Sequence, residues 1–201
     1  MLTLNFSPFP LLTTKRLLLR QLVISDGPAV QHLRGNKEVM KYISRPLTLT
    51  LQDAESWINI VEEALAKNTG ITWCICLGEN TSHHIGTIGL WCIDKENHRG
   101  EIGYMIEPAL QGMGLMHEAL VAIICYGFYT IKLHSMEAKI DPRNTASAKL
   151  LNKAGFVQEA YFKESYLLHD HFVDTAVYSL LTPNREEIIQ IDNTNIRELN
   201  V

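Results

Sequence analysis

No run in this sequence approaches the roughly 20 apolar residues that a membrane span requires. The apolar start, MLTLNFSPFPLL, carries neither a basic leading segment nor a small-residue cleavage site, so it does not read as an export signal. A soluble, cytoplasmic protein with no membrane partner is expected. There is no polybasic run either: 18 Lys and Arg stand against 22 Asp and Glu, a formal charge of −4. Without a basic stripe to follow a phosphate backbone, nucleic acid is not an expected partner. Cysteine is sparse. Cys74, Cys76, Cys92 and Cys125 sit in apolar stretches that read as core strand or helix. Their spacings to His83, His84 and His98 match no common zinc pattern, so reduced thiols and no metal are expected. Repeats, low-complexity segments and internal domain boundaries are also missing. The 201 residues, 46% of them hydrophobic, fit one domain with a full core.

What is present alternates between strand and helix signals. RLLLRQL (Arg16–Leu22) reads as a strand, and SDGPAVQHLRG follows with Ser25 or Asp26 placed to cap a helix. From Thr50 to Lys67 the apolar residues Ala54, Trp57, Ile58, Val61, Ala64 and Leu65 keep three-and-four spacing behind Thr50 as a cap. TWCICLGENTSHHIGTIGLWCI reads as a hairpin with a loop longer than two residues, and HRGEIGYMIEP as a third antiparallel strand that stops at Pro108. Helical spacing returns from His117 to Ile131, and LHSMEAKID is a further strand, so this pair should be parallel with the helix as crossover. NTASAKLLNKAGF carries Asn144 or Thr145 as a cap and Gly155 as the left-handed stop. VQEAYFKESYLL and FVDTAVYSLL, joined by HDH, close the set, and only the polar tail after Pro183 reads as peripheral.

Between Pro108 and the helix near His117 lies QGMGLMHEAL, with Gly112 and Gly114 two apart. Helix N-termini carry unpaired N–H groups and a positive dipole end, and glycines allow an anion to come close, although such turns also merely connect packed elements. A Walker loop is excluded because no Gly-Lys-Ser/Thr ending is present, and a dinucleotide fingerprint because His117 stands where a third glycine is needed.

This stretch resembles the pyrophosphate loop of the GNAT N-acetyltransferases, whose Gln/Arg-x-x-Gly-x-Gly/Ala pattern is met by Gln111, Gly112, Met113, Gly114 and Leu115, with Met116 departing at the last position. The order TKRLLLRQL, HIGTIGLWCID, RGEIGYMIEP, MEAKIDPRNTASAKLLNKAGF and the closing strand pair is similar to the Rim-type branch, which acetylates ribosomal-protein N-termini. The resemblance covers residues 13–182 as one acetyltransferase domain and leaves 183–201 as a peripheral tail. It implies an α/β (α+β) fold with a mixed, mostly antiparallel central sheet of about seven strands flanked by helices, its fourth and fifth strands splayed. It also implies acetyl-CoA as cosubstrate without a metal, and a monomer or homodimer.

Roles follow from the resemblance. Backbone amides of Gly112, Gly114, Leu115 and Met116 would hold the CoA pyrophosphate, with Gln111 nearby, while Met105 and Ile106 would pair with the pantetheine and polarise the acetyl carbonyl. Asn144 and Ser147 begin the helix that contacts CoA. Many relatives have a tyrosine seven residues after that asparagine to protonate the leaving thiolate; here it is Leu151, and Ser147 could donate to the sulfur instead. Amide formation requires a neutral amine and hence a proton acceptor. Glu101 is the candidate, since partial burial in its strand would raise a carboxyl pKa, or it is a structural carboxylate paired with Arg99 or Lys139. His98 is a second candidate base. With no cysteine among the residues given these roles, direct transfer to a primary amine in a ternary complex is expected, the acceptor being a peptide N-terminus or a small amine. A catalytically idle CoA-binding module and a ligand-free structural domain are the alternatives.

Overall fold

The computed structural model describes residues 1–78, 84–168 and 170–182. Its strands are β1 (Leu12–Thr13), β2 (Leu17–Gln21), β3 (Ile71–Leu77), β4 (His84–Asp94), β5 (Arg99–Ile106), β6 (Ser135–Ile140), β7 (Val157–Leu168) and β8 (His171–Leu181). The helices are α1 (Gly27–Gly35), α2 (Lys37–Met40), α3 (Leu51–Ala66), α4 (Leu115–Cys125), which runs on into a π-helical turn over Tyr126–Thr130, and α5 (Thr145–Lys153). One eight-stranded sheet has the order β1-β2-β3-β4-β5-β6-β8-β7. Its pairs are antiparallel except β5 with β6, as a helical crossover through α4 dictates.

Each face of the sheet buries a different helix set, because alternate residues of a strand point to opposite sides. Ile71, Trp73 and Ile75 of β3 join Leu120 and Ile123 of α4 and Leu151 of α5 in the larger cluster, which also takes in Leu4 and Phe6. Cys74 and Cys76 face the other way, against Val30 of α1 and Ala54 and Ile58 of α3. Leu120 and Ile123 are fully buried, and each contributes about 1.5–3 kcal/mol by leaving water.

The expected caps are mostly in place. Thr50 and Asp53 form a reciprocal capping box at α3, Asn144 Oδ1 accepts from the Ser147 amide at 3.1 Å, and Gly155 is left-handed at φ +91°. Asp26 differs: it precedes α1 without capping it, because its carboxylate accepts from Arg20 and from the Val23 amide. Cys92 also differs. It is exposed, at φ +48°, where the β4–β5 register slips between Trp91 and Asp94, and a bulge of this kind turns a side chain out of its alternation. The eighth strand is β1, too short at two residues for any alternation to be read. Among the described residues no helix is long and apolar enough to cross a membrane; the tail 183–201 and His83 lie outside them.

The feature that positions the site is the parting of β5 from β6. They pair only at Arg99–Ser135, Gly100–Met136 and Glu101–Glu137, although β5 continues to Ile106 and β6 to Ile140. Counted from β2, these are the fourth and fifth strands.

Candidate active site

The glycine turn has the backbone its sequence suggests. Gly112 and Gly114 both lie at φ +76°, and Gly114 is the residue from which α4 starts. Among the described residues the amides of Gly114, Leu115 and Met116 have no backbone acceptor, as expected for a first helical turn. Leu115 and Met116 bury their side chains, Met116 to 8% exposure. The bulk that departs from the family pattern therefore points into the core, leaving the backbone of the turn open. Gln111 and Met113 are exposed.

A clamp that sequence reading did not find holds this turn. Glu118 on α4 accepts from Thr14 Oγ1 at 2.6 Å, from the Arg16 amide at 2.7 Å and from Arg16 Nε at 2.7 Å. Arg16 Nη1 then donates to the Met113 carbonyl at 2.9 Å. The Glu118 carboxyl sits below its ordinary range: burial alone would raise it, but these donors outweigh burial. Thr14 and Arg16 were legible only as part of a motif string; nothing local pairs them with a residue over a hundred positions away.

Beyond Glu101 the edge of β5 that faced β6 has no strand partner among the described residues, so Met105 and Ile106 lie along that edge while pairing with Thr87 and Gly86 of β4 on the other side. On the α4–α5 face of this gap, the Tyr104 hydroxyl meets Ser147 Oγ at 2.8 Å. Burial pushes the Tyr104 phenol up to about 12, so it stays protonated at neutral pH. Sequence reading also missed Tyr104; the alternation of Ile102, Tyr104 and Ile106 along β5 was the available signal, since an inward phenol needs a partner. Leu151 is fully buried in the core.

Glu101 lies on the opposite face. Its Oε2 accepts from Lys139 Nζ at 2.9 Å, Lys139 reaches Glu137 at 3.0 Å, and Glu137 accepts from Arg99. Of the two partners foreseen for Glu101, Lys139 is the one it takes, and Arg99 serves Glu137. Glu101 thus stands in a chain of alternating charges rather than an apolar pocket. The Lys139 ammonium is pushed up, first by its hydrogen bond to Glu101. His98 ends its turn at φ +53°, and its carbonyl accepts the amides of His134 and Ser135.

Behind β3, Asp26, Cys74 and His84 bring possible ligand atoms within 4.8 Å of one another. Arg20 occupies both Asp26 oxygens, at 2.7 and 2.8 Å, and the Cys74 and Cys76 sulfurs lie 3.7 Å apart. The chemistry of this cluster is that of a buried ion pair beside two thiols.

The frame of this site is a mixed sheet that opens between two parallel strands, with a glycine turn at the helix start. The chain belongs to the GNAT acetyltransferase family, the acetyl-CoA-dependent N-acetyltransferases: residues 16–157 match the model of the acetyltransferase (GNAT) domain. It is 32% identical over 170 residues to the uncharacterized N-acetyltransferase p20 of Bacillus licheniformis, covering 85% of this chain and 95% of that one. It is 38% identical over 87 residues to the [ribosomal protein uS5]-alanine N-acetyltransferase of Escherichia coli, covering 43% of this chain and 45% of that one. A GNAT-family acetyltransferase of Bacillus anthracis superposes with a TM-score of 0.76 at 28% identity, over 86% of this chain and 98% of that one.

Proposed function

We propose that this protein transfers the acetyl group of acetyl-CoA directly to a primary amine, a peptide N-terminus or a small-molecule amine, held on the Glu101 face of the parted strands while the thiol leaves on the Ser147 face. The observation that carries this reading is that the two candidate residues flank the gap between β5 and β6 from opposite sides of the sheet.

The acetyl thioester supplies an activated acyl group; the protein supplies positions and protons. The amides of Gly112, Gly114, Leu115 and Met116 receive the pyrophosphate, aided by the dipole of α4, at about 0.3–2 kcal/mol per charge. Gln111 and Met113 border that turn. An N–H on the open edge at Met105 or Ile106 donates to the acetyl oxygen. Glu101, directly or through water, accepts the proton that the ammonium must lose before its nitrogen attacks. As the N–C bond forms and the C–S bond breaks, Ser147 donates a hydrogen bond to the departing sulfur. Tyr104 supports that role in one of the two donor arrangements open to the pair: when the phenol donates to Ser147 Oγ, the serine proton is free to point elsewhere. Asn144 holds the start of α5 through the Ser147 amide.

The test is acetyl-CoA turnover, read as free thiol, over peptide N-termini, polyamines, amino sugars and amino acids. Amine-dependent thiol release with at least one class is expected. Retention of CoA without release in any class would leave the idle-module reading.

A further inference from the structure

On the Glu101 face, the segment after α2 and the β7–β8 hairpin enclose a cleft. Ser44 Oγ donates to the Leu167 carbonyl at 2.6 Å and ties the two together. The cleft, about 260 Å³, is lined by Lys41, Tyr42, Arg143, Leu168, His171 and Val173. Its side of the sheet follows from register: Val177 of β8 lies opposite Lys139 of β6, and two further alternations bring Val173 to the face where Lys139 meets Glu101. Arg143 immediately precedes Asn144, so one wall of the cleft is the turn that leads to Ser147.

The charges in this cleft are of one sign. The Lys41 ammonium lies 5.5 Å over the Tyr42 ring and has no carboxylate partner among the described residues. Arg143 is aimed by Asp141, whose oxygens accept from Arg143 Nε at 2.9 and 3.1 Å and from Nη2. That carboxylate is only 4% exposed, against 59% for the arginine side chain, so the cleft meets the guanidinium and its unused Nη1. Asp174 is occupied by the Tyr161 hydroxyl and the Glu164 amide. A guanidinium fixed from behind by a buried carboxylate, in a cleft that Lys41 also lines, suits a carboxylate ligand in charge. Leu168 and Val173 suit its methylene stem. The volume lies below the roughly 300–1,000 Å³ of ordinary ligand pockets, so the occupant is a group the size of one side chain.

We infer that this cleft selects acceptors that carry a carboxylate close to the reacting amine, such as a peptide with an acidic residue beside its N-terminus, over cationic acceptors such as polyamines. This rests on the proposed acetyl transfer for the identity of the ligand as acceptor, and the test separates the two. Titration calorimetry on CoA-saturated protein would compare a C-terminally amidated tetrapeptide with glutamate second, its lysine counterpart, free glutamate and spermidine. The glutamate peptide should bind at least tenfold tighter than the lysine peptide and spermidine, and Lys41→Glu should remove that preference. Free glutamate binding with the same Lys41 dependence would support the inference with a free amino acid as the source. Equal or tighter binding of the cationic probes, no binding of either carboxylate probe, or a preference unchanged in Lys41→Glu would overturn it. Acid-selective binding without thiol release from acetyl-CoA would keep the inference and remove the proposed transfer.

Discussion

Tyr104 and Ser147 meet hydroxyl to hydroxyl at 2.8 Å across the mouth of the parted strands, one from β5 and one from the first turn of α5. Either hydroxyl can donate in this contact, and a donating phenol leaves the serine proton for the sulfur. Ser147→Ala should raise the barrier of the chemical step by about 0.5–3 kcal/mol, the range for one lost hydrogen bond with the upper end for a charged partner. Tyr104→Phe should produce a smaller loss in the same step, because the serine remains but its orientation is freed. Single-turnover acetyl transfer at saturating acetyl-CoA measures both. Equal rates in Ser147→Ala and wild type would remove Ser147 from thiolate departure.

Glu101→Gln keeps the size of the side chain and its capacity to accept from Lys139 while removing the base. Turnover at neutral pH should fall by about 100-fold, the lower end for general-base catalysis, and recover partly as rising pH deprotonates the amine itself. Acetyl-CoA affinity should hardly change. A flat pH profile with full turnover would make Glu101 purely a partner of Lys139.

At Gly114 a Cβ would stand 3.5 Å from Arg16 Nη2 and the backbone lies at φ +76°. Gly114→Val therefore strains the turn and covers its amides. Acetyl-CoA binding should weaken by about 1–2 kcal/mol, several-fold to about thirty-fold, seen as a reduced thermal shift with CoA. An undiminished shift in a folded variant would rule the turn out as the pyrophosphate site.

The Glu118 clamp can be tested apart from chemistry. Glu118→Ala leaves the Arg16 amide and Arg16 Nε without their acceptor and the Thr14 hydroxyl with only its longer contact to the Leu17 carbonyl at 3.3 Å, a loss of about 1–3 kcal/mol in stability. Because Arg16 also holds the Met113 carbonyl, the KM for acetyl-CoA should rise while kcat changes little. A fall in kcat at unchanged KM would contradict this assignment.

His84 is buried, and neither ring nitrogen has a hydrogen-bond partner among the described residues. Burial lowers its pKa below the ordinary 6.5, so the unfolded chain takes up the proton first as pH falls. Stability from this residue is intact above about pH 6.5 and is lost as pH drops from there toward the lowered value. Thermal melts between pH 7 and pH 5 should show this decline, and His84→Leu should flatten it. The same slope in the variant would assign it to other groups, His117 first, whose pKa burial also lowers.

Local chemistry made much of the molecule legible from the sequence. Period-two and period-3.6 patterns placed the longer strands and helices, Thr50 and Asn144 announced their caps, and the spacing of Gly112 and Gly114 announced an open turn ahead of α4. These signals are short-range, resting on backbone preference and on side chains a few positions apart. Tertiary structure decided which distant groups meet. Lys139 rather than Arg99 reached Glu101, Tyr104 found Ser147, Glu118 gathered Thr14 and Arg16, Arg20 drew Asp26 away from its cap, and Lys41 and Arg143 came to line one cleft. Each pairing depends on strand register and on the angle at which β5 and β6 part, which arise from packing the whole sheet between two helix layers and are written in no single stretch of residues.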